Sequence, residues 1–260
     1  MSTVVYLSNQ IIQIVTGNQN GRTVAVKNSY TLETPEGSTI NGMIMNVELF
    51  TNFLREQWKR NNLPTKDIIL VINSTKFVGK SIELPNLNKA KTRQFISREY
   101  ADIGKNEGSI YGYASLGSGQ GKLKRIYAEA IDPDFINDYT EIFGKSGIKL
   151  SAIYSCESTL IKFVEKTVAL ICKTFLFVVA SDNSFTIIIW VNGSFYHYNL
   201  SRCFHDEGTA EYAEDLARTV SQMSQFLQAN QIEYHLVNKK IFLQILISEI
   251  LLEIFSKILL

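Results

Sequence analysis

The chain has 260 residues, 45% of them hydrophobic, which is material for one large or two medium domains at roughly 100–200 residues each. Its 26 basic and 25 acidic residues leave a formal net charge of +1, which argues against a broad electrostatic footprint for nucleic acid but leaves room for a local basic patch. Cys156, Cys172 and Cys203 form an odd set without metal-ligand spacing, as expected of free thiols in a reducing compartment.

The start, Met1-Ser2-Thr3-Val4, has no charged segment leading into an apolar run, so no leader is expected. Residues 168–180 are interrupted by Lys173, and residues 241–260 by Glu249, Glu253 and Lys257. Both fall short of the roughly 20 mostly apolar residues of a spanning helix. A cytoplasmic protein is expected.

In chain order, residues 4–7 and 11–15 are mostly β-branched or aliphatic and predict two strands, and 23–32 predicts a third after the second turn. The turns fall at Ser8-Asn9-Gln10 and at Asn18-Gln19-Asn20-Gly21. Thr34-Pro35-Glu36-Gly37 is a loop, and Asn46 is a candidate cap for a helix. Val47, Phe50, Phe53, Leu54 and Trp58 are placed on its apolar face, with Glu48, Asn52, Arg55 and Lys59 opposite. The continuous apolar run 68–72 predicts a buried strand.

A second unit follows. Residues 77–84 predict a strand ended by Pro85, and Asn88 a cap for a helix whose apolar side is Phe95, Ile96, Tyr100 and Ile103. Residues 110–116 and 123–131 predict strands around a loop from Gly117 to Gly121. Asp132-Pro133 starts a helix bearing Phe135, Tyr139, Ile142 and Phe143, which stops near Gly144 or Gly147. Residues 150–154 predict a strand and 158–171 a helix. A second meander spans 175–180, 185–191 and 196–200, with Asn192-Gly193 as a hairpin turn. A long helix over 209–229 carries Tyr212, Leu216, Val220, Met223 and Leu227, and a strand over 232–237 follows. Meander, helix and strand thus occur twice, an internal echo.

One stretch carries a family resemblance. It runs Pro35-Glu36-Gly37, Asn41-Gly42, the amphipathic helix, the strand at 68–72, Ser81-Ile82-Glu83-Leu84-Pro85, then a helix with Arg98-Glu99-Tyr100. This order resembles the type IV pilus assembly protein PilM family and, more distantly, the cell-division protein FtsA. The resemblance continues through 147–150 and 155–160 and fades after the second meander. It implies an α/β, actin-like (ribonuclease H-like) fold. Residues 1–74 with 150–172 would form the first actin-like domain, 75–149 a small inserted α+β domain, and 173–260 a partial second actin-like domain.

Actin-like ATPases hold phosphates in two β-hairpins that need glycines for close backbone approach and an aspartate to organise Mg²⁺. Matched to the family pattern, the first hairpin falls at Ser8, Asn9 and Gln10, with Tyr6 at the aspartate position, Ser8 at a glycine position and Gln13 at a lysine position. The second falls at Asp182, Asn183 and Ser184, with Ala180 at the acid position. The nucleotide machinery is therefore read as degenerate. No catalytic residue, metal site or cofactor is expected, with Mg-ATP at a non-standard site using Asp182 as the alternative.

Three other features carry less. Cys203, His205 and Asp206 lie too close in sequence for a catalytic set. His197, His205 and His235 show no helical pairing for zinc. Lys122, Lys124 and Arg125 follow a glycine-rich loop without phosphate-loop spacing and predict a solvated basic strand that could face an anionic membrane. Residues 241–260 predict an amphipathic helix, either closing the second domain or docking on a partner.

The resemblance implies a cytoplasmic scaffold of a type IV pilus or related machine at the inner face of the membrane. It would bind the short cytoplasmic peptide of a membrane-anchored PilN-like protein in a groove between the first domain and the insert. An actin-like ATPase and an FtsA-like adaptor are the alternatives.

Overall fold

β-branched and aliphatic residues favour extended backbone. In the computed structural model those at the start form β1 (Ser2–Leu7), β2 (Ile11–Asn20) and β3 (Thr23–Glu33), an antiparallel meander. The structure describes residues 2–20, 23–102, 108–118, 121–166, 174–181 and 184–232. β2 runs to Asn20, so residues 18–20 of the turn expected at 18–21 are strand, and Gly21 lies outside the described residues. A short hairpin, β4 (Thr39–Ile40) with β5 (Met43–Ile44), was not expected, since two residues per strand leave no periodicity to read.

Helix α1 (Val47–Arg60) starts at the expected cap: the Asn46 side chain accepts from the Leu49 N–H at 3.0 Å. Phe50, Leu54 and Trp58 are buried as expected, but Val47, in the first turn, is 43% exposed. β6 (Ile68–Ile72) is buried throughout. Next come β7 (Val78–Leu84), α2 (Lys89–Ala101), β8 (Ile110–Ser118), β9 (Lys124–Ile131), α3 (Pro133–Lys145) and β10 (Leu150–Ser155). Asn88 caps α2 through the Lys91 N–H and Asp132 caps α3 through the Asp134 N–H. All four apolar residues expected inside α3 are buried. Ile103, assigned to α2, lies outside the described residues.

β6 adds parallel to β1 and β10 parallel to β6, giving one five-stranded sheet in the order β10-β6-β1-β2-β3. Successive residues point to opposite faces. Val5, Leu7, Ile14, Leu70 and Ile72 therefore meet α1 and α3, while Val4, Tyr6, Val15, Ile69 and Val71 form a second cluster with Tyr154 and Cys156. The chain between β6 and β10 folds as a separate sheet, β7-β9-β8, followed by α3. On one face of that sheet α2 buries Ile96 and Tyr100 against Ile82, Ile126 and Ala128. The Tyr100 hydroxyl reaches the carbonyls of Val78 at 2.8 Å and Ala128 at 2.6 Å. The other face carries Tyr127, which joins the cluster of Leu160 and Ile188, and Ile131, which joins the main core.

Helix α4 (Cys156–Lys166) begins two residues earlier than expected. β11 (Phe175–Ser181), β12 (Ser184–Val191) and β13 (Ser194–Arg202) repeat the meander, with positive φ at both turn residues, Asn192 and Gly193, as such a hairpin requires. Helix α5 (Ala210–Ala229) follows, capped by Thr209. The echo is therefore real through its second helix. The strand expected at 232–237 and the helix expected at 241–260 fall outside the described residues, apart from Ile232.

The Asn41-Gly42 pair joins these parts. The Asn41 carbonyl accepts from Ser74 Oγ at 2.6 Å, and its side chain bonds both the N–H and the hydroxyl of Thr75. The Gly42 N–H donates to Asn9 Oδ1 at 3.3 Å and its carbonyl accepts from the Tyr139 hydroxyl. Gly42 has φ +72°, and a Cβ there would stand 2.7 Å from the Ser74 Cβ. Gly37 has a similar φ, +69°, but open space around it. Gly42→Ala should therefore lose more stability than Gly37→Ala in urea unfolding. The backbone strain shared by both is about 1–3 kcal/mol, and equal losses would show that the Ser74 contact is unimportant.

Candidate functional site

The sequence singles out the β1–β2 turn as a phosphate position. Ser8 is buried and folded back on its own turn: its N–H and hydroxyl both donate to the Ile11 carbonyl at 3.0 and 3.1 Å, and its Oγ accepts from the Ile11 N–H at 3.1 Å. The Asn9 carbonyl accepts from the hydroxyls of Thr34 and Thr39 at 2.6 and 3.0 Å, and the Gln10 carbonyl from the Thr34 N–H at 2.8 Å. The loop at 34–42 is thus hydrogen-bonded onto this turn. Tyr6, at the position of the metal-organising acid, is packed among Val4, Val15, Ile69 and Val71. The N–H groups of Ser8 and Ile11 are already engaged, and no carboxylate stands at position 6, so this turn does not fit the phosphates of Mg-ATP as an aspartate- and glycine-bearing hairpin does.

At the second hairpin Ser181 pairs with Ser184. Ser184 opens β12 opposite Arg202 of β13. Asp182 and Asn183 lie outside the described residues, as do Cys172 and His235.

Cys203 and His205 do come together with an acid, but it is Asp215 of α5 and not Asp206. His205 Nδ1 stands 2.9 Å from Asp215 Oδ2, which also accepts the Phe204 N–H at 3.1 Å, and Arg218 reaches Oδ1 at 3.2 Å. The Phe204 N–H and His205 hold the Asp215 carboxyl below its usual range. Cys203 Sγ donates to the His205 carbonyl at 3.2 Å, and burial pushes the thiol pKa up. A reactive thiol needs the opposite shift and solvent access. This cluster pins the loop between β13 and α5. Of the basic residues after the glycine-rich loop, Arg125 is not a solvated charge: it pairs with Glu83 at 3.3 Å and reaches the Phe195 carbonyl at 3.4 Å.

A separate concavity lies among the described residues. A groove of about 690 Å³ runs between β8 and β10, bounded by α2, α3 and α4. β8 ends the three-stranded sheet and β10 ends the five-stranded one, so each has one strand neighbour among the described residues and turns its other edge outward. Small residues on both sides, Gly112, Ala114 and Ala152, open the space. Lys89 and Arg93, one turn apart on α2, line its rim and are exposed.

Glu129 of β9 lines the floor. Ser155 Oγ donates to its Oε1, Ser155 Oγ stands 2.8 Å from Ser158 Oγ and accepts the Ser158 N–H at 3.0 Å, so the carboxyl meets the first turn of α4. Burial pushes the Glu129 carboxyl up to about 7, against the pull of Ser155, Ser158 and Lys162. Burial alone carries its neighbour Glu157 up to about 8. Sequence reading missed Glu129. The available signal was its place between Tyr127 and Ile131 at period two, an acid on an otherwise apolar strand face.

Solved structures similar to this chain place the fold. A PilM–PilN type IV pilus biogenesis complex matches with a TM-score of 0.68 at 11% identity, over 88% of this chain and 72% of the other. A Bacteroides thetaiotaomicron protein of unknown function with an actin-like ATPase fold matches at 0.51 and 13% identity, over 89% and 77%. No protein-family model and no curated protein sequence matches. The fold is an actin-like α/β fold, as the resemblance implied.

The buried Glu129 makes stability depend on pH. Its carboxyl binds protons more tightly folded than unfolded, where the ordinary value is 4.5, so stability falls as pH rises from about 4.5 and levels off above about 7. The loss is on the order of 3 kcal/mol at 1.36 kcal/mol per unit. Glu129→Gln should flatten that part of the slope in urea titrations at pH 5, 6, 7 and 8, leaving the Glu157 part. An unchanged slope would mean that Glu129 is ionised at no cost.

Proposed function

We propose that this chain is a non-catalytic scaffold of a type IV pilus or related secretion machine. It works at the cytoplasmic face of the inner membrane, docking an extended peptide of a membrane-anchored, PilN-like partner in the β8–β10 groove. The observation that carries this reading is the groove itself, where two outward strand edges border one concavity lined by small residues. An extended peptide gains affinity by pairing with such an edge, each backbone hydrogen bond contributing about 1 kcal/mol net, and specificity from pockets for alternate side chains. The likeness to the PilM–PilN complex supports the choice of machine and partner. No helix among the described residues is long and apolar enough to cross a membrane, in keeping with recruitment through a partner.

The same reading takes the nucleotide hairpins as retired. The turn at Ser8, Asn9 and Gln10 is closed by its own hydrogen bonds and by the 34–42 loop, and Tyr6 fills an apolar cluster. Thermal unfolding in millimolar Mg-ATP should therefore match unfolding without it. A ligand at 100 times its dissociation constant adds about 2.7 kcal/mol, or about 5–10 °C in Tm for a chain of this size. A rise of that order would restore the ATPase reading and direct attention to Asp182.

A further inference from the structure

Glu129 has a glycine beside it on each neighbouring strand, Gly79 on β7 and Gly112 on β8. The two differ. Gly79 is required by packing, since a Cβ there would stand 1.8 Å from the Tyr127 hydroxyl oxygen. Gly112 has no such neighbour: a Cβ built there meets nothing within 4 Å, and its φ is not in the left-handed region. Neither packing nor backbone conformation asks for glycine at 112 in the protein alone. Its effect is to leave the way from the groove to Glu129 open, because both residues line the same concavity.

The hydrogen bonds that Glu129 receives come from one side, the Ser155–Ser158 junction of β10 and α4. Lys162 of α4 is the cation whose charge acts on it, and Glu157 lies in the same first turn of α4. Tyr100 of α2 and Tyr198 of β13 also feel its charge. A desolvated carboxyl gains most from a charge-assisted hydrogen bond, whereas the exposed rim cations Lys89 and Arg93 would discriminate little between partners.

We propose that Glu129 sets the specificity of the groove by receiving a cationic side chain, arginine or lysine, that a docked extended segment passes over Gly112. The proposal rests on the peptide-docking reading of the same groove. Arginine suits the position better, because its planar fork matches a carboxylate. The incoming cation favours the ionised carboxyl. Binding therefore releases a proton and strengthens as pH rises through the range in which the free carboxyl titrates.

Random dodecapeptides displayed on phage, selected against the wild-type protein and resynthesised, test this. Selected peptides should slow amide exchange in β8 and β10, carry arginine or lysine at one fixed position, and bind about tenfold tighter at pH 8 than at pH 6. Glu129→Gln should weaken them about tenfold and remove the pH dependence. Gly112→Val, whose Cβ meets nothing within 4 Å, should block them while leaving the thermal unfolding midpoint at or above that of the wild type, and it carries the test alone should Glu129→Gln fail to fold. Peptides that protect β8 and β10 without a basic preference, or that bind Gly112→Val unimpaired, overturn the role of Glu129 and leave the docking reading standing. Selection that yields no peptide protecting those strands overturns both.

Discussion

The parallel ladder of β1, β6 and β10 governs the rest of the structure. Two parallel strands cannot be joined by a tight turn, so the chain must leave the sheet after Ile72 and return at Leu150. The residues between them build a second sheet and α3. That excursion has two consequences. It places the last strand of the small sheet, β8, across from the last strand of the large one, β10, with the groove between them. It also carries β9 to the β10–α4 junction, where Glu129 meets Ser155. The sheet is covered by α1 and α3 on one face and joined by Cys156 of α4 on the other, so its central strands β1 and β6 read as apolar runs, and the groove lies at its β10 edge.

The β1–β2 turn illustrates how one geometry can serve opposite ends. A phosphate-binding hairpin keeps backbone N–H groups turned toward a ligand, which glycine permits. Here the Ser8 side chain satisfies the turn internally, and Thr34, Thr39 and Gly42 tie Asn9 to the neighbouring loop. The Gly42 carbonyl then holds Tyr139 of α3, so this corner is a structural joint between the sheet and its covering helix.

Much of this was legible in the sequence because local chemistry agreed with the fold. The uniformly apolar run Ile68–Ile72, the caps Asn46, Asn88 and Asp132, and the turn Asn192-Gly193 all take the predicted roles. The losses have physical causes as well. Val47 has the helical period but, as the first residue of α1, stays 43% exposed. His205 finds Asp215 across a helix start instead of the adjacent Asp206, since pairing follows space and not sequence. The groove could be expected only from the resemblance, because no local pattern says which strands end a sheet. Glu129 was hidden by its ordinary composition: an acid in a strand reads as exposed until the strand on its open side is known.

The most direct test is hydrogen–deuterium exchange of the purified protein, alone and with a synthetic peptide of the cytoplasmic N-terminal residues of the PilN-type membrane protein from the same cell. Edge amides exchange readily until a strand pairs with them. The account predicts slowed exchange in Ile110–Ser118 and Leu150–Ser155, with the β1–β2 turn unchanged. Protection confined to other surfaces, or none at saturating peptide, would contradict it.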